Sequence, residues 1–123
     1  MDIRPLFHLR YDPINFHCVH FVIAAAKHIY QLDYSPCFIG LTGSIDETIK
    51  TSRETVHRNK MIKRPVEGCI VLMTHLNGSS HVGLFFRHKV FHLTEQSVQR
   101  ITLHEAGKIF KRIRYYEPNL YHQ

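Results

Sequence analysis

The chain contains no tryptophan, only three cysteines and only six glycines in 123 residues. An odd number of thiols at positions 18, 37 and 69 fits neither a disulfide framework nor a paired zinc knuckle. Free thiols in a reducing compartment are the simplest expectation. Long apolar runs are missing too. The longest, Phe21 to Ala26, is far too short to span a bilayer, so no membrane association is expected. The opening Met1-Asp-Ile-Arg-Pro has no apolar segment resembling a signal peptide, which leads to the expectation of synthesis in the cytoplasm and of delivery elsewhere by another vehicle. No internal repeat, low-complexity tract or linker interrupts the chain, and one domain over residues 1–123 is expected. Acidic residues are few as well: 10 against 16 Lys and Arg, for a net charge of +6. That excess favours an anionic partner, but no recognised nucleic-acid-binding motif accompanies it and nucleic acid is not expected as a ligand.

Hydrophobic periodicity supplies the elements that are present. Val19, Val22, Ile23, Ala26 and Ile29 recur at three- and four-residue spacing, predicting a half-buried helix from Cys18 to about Tyr30 with Asn15 as its N-cap. Ser44 and Glu47 fit a capping box, and a narrow apolar stripe predicts a surface helix over 45–58. Beyond Pro65 the period changes to that of strands. These are expected over Cys69–Thr74, His81–Phe86, Val90–Thr94, Val98–Leu103 and Ile113–Tyr116, with a short helix from His104 to about Lys111. Helices first and an antiparallel meander second make an α+β domain.

The chemistry concentrates on Cys18, His81 and His92. Their order, a thiol at a helix start followed by two histidines on successive strands, fits a nucleophile, its base and a group that orients the base. A helix N-terminus favours the thiolate that such a nucleophile needs. Cys37 and Cys69, in a Ser-Pro-Cys-Phe loop and an apolar strand, read as packing residues. His81, Gly83 and Phe85 alternate onto one strand face, where Gly83 leaves room for close approach and the Cys18 helix is expected to pack. His92, one strand over, is placed to accept a hydrogen bond from His81 and hold its tautomer.

At these residues the chain resembles the NlpC-type cysteine peptidases, papain-like hydrolases of bacterial and phage cell-wall systems. The resemblance runs from Tyr11 to about Leu103. It is carried by Phe16-His17-Cys18-Val19-His20-Phe21-Val22, Glu67-Gly68-Cys69-Ile70-Val71-Leu72, Ser80-His81-Val82-Gly83-Leu84-Phe85 and Val90-Phe91-His92-Leu93. It implies a papain-like fold, with the nucleophile helix packed on an antiparallel sheet. It further implies Cys18, His81 and His92 as nucleophile, base and orienting residue, and Tyr11 as a contributor to the oxyanion site. The implied activity is hydrolysis of amide bonds in peptidoglycan stem peptides, without metal or other cofactor, in a phage or prophage tail component or a protein delivered to the periplasm. Phage-tail or secretion-system proteins are the implied partners. The chain departs from the family's usual pattern by having His17 before the nucleophile and Val19-His20 after it. Those departures keep a second expectation open, a catalytically inactive tail-assembly protein of the same fold. A metal-binding module built from His17, Cys18 and His20 is a third reading, but on a helix these residues point in different directions.

Overall fold

The computed structural model describes residues 1–38, 59–118 and 120. The helix expected over 45–58 lies outside the described residues. Within them the chain is α+β. Helix α1 spans Cys18–Tyr30, and strands β1 (Lys60–Ile62), β2 (Ile70–Thr74), β3 (Ser80–Phe86), β4 (Lys89–Leu93) and β5 (Val98–Ile101) follow. Helix α2 (Leu103–Ile109) and strand β6 (Arg112–Glu117) complete it, with short 3-10 turns at Arg4–His8 and Ser35–Phe38.

All six strands form one antiparallel sheet in the order β1-β6-β2-β3-β4-β5. The expected meander accounts for β2 to β5. After it, α2 carries the chain back across the sheet so that β6 pairs with the other edge of β2, in the register Ile70↔Tyr116 to Thr74↔Arg112. Strand β1 then adds to β6 through Lys60↔Glu117. Its Lys-Met-Ile sequence is too short and too polar to show strand periodicity. Centrally placed β2 is buried on both faces at Ile70–Met73, which is why it reads as a continuous apolar run.

Each sheet face has its own core. On one, α1 buries Val19, Phe21, Val22, Ala25, Ala26 and Ile29 against Leu72, Val82, Leu84, Phe91 and Leu93. On the other, Ala106 of α2 and Phe110 cover Cys69, Val71, Met73, Phe85 and Val90. Each fully buried aliphatic or aromatic side chain contributes about 1.5–3 kcal/mol, so both layers matter to stability. This arrangement corrects one expectation. Helix α1 packs on the Val82/Leu84/Phe86 face of β3, not on the face of His81, Gly83 and Phe85. Alternation could not decide it, because β3 is buried almost throughout. The helix start is also corrected. His17 is the N-cap in place of Asn15, with extended backbone and its N–H donating to Nδ1 of His20 at 3.2 Å.

The β3–β4 hairpin turns through two residues, Arg87 (φ 50°) and His88 (φ 65°), both left-handed without being glycine. Such a turn favours Asn-Gly, and each non-glycine residue there costs on the order of 1 kcal/mol. The Arg87 N–H donates to Glu67 Oε1 at 2.9 Å, a bond any residue except proline keeps. The double substitution Arg87→Asn/His88→Gly is therefore expected to stabilise the protein by about 1 kcal/mol in urea unfolding, even though it removes the Arg87 guanidinium from above the Phe86 ring.

Candidate active site

Residues 11–18 bring two of the expected site residues together. Asp12 and Phe16 exchange backbone hydrogen bonds of 2.7 and 3.0 Å, and the Asp12 carboxylate accepts from the N–H groups of Ile14 and Asn15. This closed loop reverses the chain, so that Tyr11 lines the same cavity as Cys18, the first residue of α1.

The sheet brings in the histidines. The β3–β4 ladder runs from Phe86↔Lys89 to Leu84↔Phe91 and stops there. Beyond that point β3 stays paired with β2 (Met73↔His81), while β4 stays paired with β5 (His92↔Gln99). Where their pairing ends, side chains from the two sheet faces can reach a common opening. Cys18 approaches from the α1 side with its sulfur against the Val82 backbone N–H, and His81 lines the same cavity. Its volume is about 470 Å³, and His92, His75, Glu95 and Phe110 also line it.

Gly83 makes the histidine pair possible. A Cβ there would meet Val90 Cγ1 at 2.8 Å, the Phe91 carbonyl oxygen at 3.1 Å and His92 Cβ at 3.2 Å. The expected close approach at Gly83 is therefore made by β4, and α1 has no part in it. Nε2 of His81 and Nδ1 of His92 lie 2.8 Å apart, with the ring planes inclined at 76°. One proton is shared across that bond. With it on His81 Nε2, the Nδ1 of His81 carries the lone pair a base requires, and His92 holds its own proton on Nε2. His81 also lies nearly parallel to Phe110 at 6.1 Å, and the ring of His75 sits 4.7 Å from the same phenyl group.

Burial dominates the electrostatics. It pushes His81 down to about 3, reinforced by charge on His92 and His75. His92 falls to about 4, again first by burial and then through His75. The Cys18 thiol is pushed up by burial, although the backbone N–H groups of Val82, Val19 and Cys18 itself favour its charged form. Burial thus favours the neutral form of both the Cys18 thiol and the His81 imidazole. The helix N-terminus does not outweigh desolvation, as the sequence-based expectation of a lowered thiol pKa required. Tyr11 is raised, chiefly by burial and then by the charges of Glu95 and Cys18.

Cys37 and Cys69 are buried, and Cys69 is pushed up to about 11, mainly by burial, in keeping with packing roles. His17 and His20 sit at the start of α1 with ring centroids 4.1 Å apart. Among the described residues, no three His, Cys, Asp or Glu side chains are grouped to hold a metal ion. Also among them, no helix is long and apolar enough to cross a membrane. Sequence reasoning missed His75, Glu95, Gln99 and Phe110 as cavity residues. They come from turns and strand ends that only the sheet topology brings together, and no local pattern marks them. No protein-family model matches the chain, and no curated protein matches its sequence.

Proposed function

We propose that the protein is a papain-like, NlpC-type cysteine peptidase or amidase that cuts peptidoglycan stem peptides. The observation that carries this reading is the convergence of Cys18, His81, His92 and Tyr11 on one cavity, with the 2.8 Å His81–His92 bond leaving a ring nitrogen of the base free for the thiol. In acylation, Nδ1 of His81 takes the thiol proton as Cys18 Sγ bonds to the substrate carbonyl carbon. The Cys18 backbone N–H, unpaired within the helix at its first position, and the Tyr11 hydroxyl stabilise the oxyanion. The C–N bond then breaks as His81 passes the proton to the leaving amine, and a thioester remains. Water adds to that thioester while His81 takes its proton. Collapse then frees the acid and returns the proton to Cys18. A tail-associated or periplasm-delivered setting, with partners from a phage tail or secretion system, follows from the same family resemblance.

The test is hydrolysis of purified muropeptides by the parent, Cys18→Ala and His81→Ala proteins, followed by mass spectrometry. Product amines are expected with the parent alone. Because thiol and imidazole are both neutral at rest, the parent rate is expected to stay flat between about pH 6 and pH 8. An ordinary histidine would impose a several-fold change there. Equal turnover by Cys18→Ala would end the peptidase reading. The burial of Cys18, 5% exposed, favours a second reading, an inactive assembly protein of the same fold, and absence of turnover by the parent would place that one first.

A further inference from the structure

The charge of the cavity opposes the charge of the chain. The protein carries a net +6, yet among the described residues no Lys or Arg lines the cavity and Glu95 is its one carboxylate. Glu95 follows Thr94 in a closed turn. The Thr94 N–H donates to the Ser97 carbonyl at 2.9 Å, and Thr94 Oγ1 accepts from the N–H groups of Gln96 and Ser97. The turn is fixed by these bonds, while the Glu95 side chain is exposed and has no hydrogen bond or ion pair with any described residue. Tyr11 and Cys18 line the same cavity as Glu95, whose charge helps raise the Tyr11 phenol after burial. The rest of the described lining is made of histidine, hydroxyl, amide and thiol side chains and is in part apolar, through Leu93, Ile109 and Phe110.

An unpaired carboxylate on a fixed turn, facing a cavity whose described lining has no lysine or arginine, attracts a cation and repels an anion. We propose that Glu95 is a specificity-determining residue that selects peptides bearing a primary ammonium group close to the amide to be cut. This deepens the peptidase reading and rests on it for the identity of the amide. The overall +6 acts at longer range, draws anionic polymer toward the surface, and favours the opposite choice of small ligand. The two effects therefore predict opposite signs, and binding can separate them.

The probe pair is a synthetic stem tetrapeptide with its amino groups free and the same peptide fully N-acetylated. Affinities are measured by calorimetry on Cys18→Ala, which cannot turn the peptide over. The free-amine form is expected to bind about fivefold tighter, as suits one partly exposed ion pair. That preference should vanish in Cys18→Ala/Glu95→Gln and shrink in high salt. A preference unchanged by Glu95→Gln, tighter binding of the acetylated peptide, or binding of neither peptide overturns the proposal. Cleavage by the parent is scored separately. Glu95-dependent binding without cleavage removes the hydrolase reading alone, whereas cleavage with no charge preference removes the Glu95 role alone.

Discussion

Lowering the pH from about 7 to about 4.5 will strongly destabilise the protein. His17, His81 and His92 are held at about 4, 3 and 4, in each case first by burial, against an unfolded value of 6.5. Below pH 6.5 the unfolded chain binds protons at these three positions while the folded chain does not. Each lowered histidine therefore contributes stability that is present above pH 6.5 and is lost as the pH falls toward the folded value. One such proton is worth about 1.4 kcal/mol per pH unit, and partial solvent screening of His81 reduces its share. Together the three give a slope of about 2–4 kcal/mol per pH unit, against a total stability of about 5–15 kcal/mol for a domain of this size. Thermal unfolding followed by circular dichroism across this range should show the midpoint temperature dropping steeply below pH 6.5. The same data should give an uptake of two to three protons on unfolding. A midpoint that stays constant down to pH 5 would mean that the buried histidines are already charged in the folded protein.

Replacing Gly83 by alanine will both destabilise the protein and separate the histidine pair. A new Cβ 2.8 Å from Val90 Cγ1 and 3.1 Å from the Phe91 carbonyl oxygen forces β4 to move, since one of the two neighbours is backbone. Such overpacking costs about 1–3 kcal/mol, more than the fraction of a kcal/mol that alanine normally gains over glycine in a strand. The displaced segment carries His92, whose own Cβ would be 3.2 Å from the added methyl group. A misplacement of about 1 Å in a catalytic constellation costs roughly 100-fold in rate, so the proposed muropeptide hydrolysis should fall by far more than the loss of stability explains. Gly83→Ala combined with Val90→Ala separates the two effects. It removes the closest clash and should recover part of the urea midpoint while the rate remains low, because the contacts to Phe91 and His92 persist. Imidazole nitrogen resonances reporting an intact His81–His92 bond in Gly83→Ala would remove the positioning argument.

Much of this site was legible before any coordinates. Cys18 at the start of a helix, and His81 and His92 on neighbouring strands, follow from the apolar period and from turn chemistry alone. The hydrogen bond between His81 and His92 follows that placement, while Tyr11, singled out only by the family resemblance, lines the same cavity. Less was legible wherever the decision belongs to tertiary contacts. Which face of β3 receives α1 is not encoded in a strand buried on both sides. The return of β6 to the edge of β2 depends on a crossover through α2, and β1 is too short to announce itself. His75 reaches the cavity from the end of β2 and Phe110 from the end of α2, which the pairing of β6 with β2 brings together. The state of the thiol was misjudged for a physical reason: helix-end polarity acts on every first-turn residue, whereas desolvation depends on how deeply the finished sheet encloses it.

The two cores on either side of the sheet also bear on when the proposed chemistry could begin. Cys18 belongs to the layer under α1, while His81 rests on Phe110 in the layer completed by α2 and β6, the last elements in sequence. The ring that backs His81 arrives only when the C-terminal elements close over the far side. Under the proposed peptidase reading, a chain lacking α2 would therefore carry its base without the ring that backs it, and activity would arrive with the C-terminal elements.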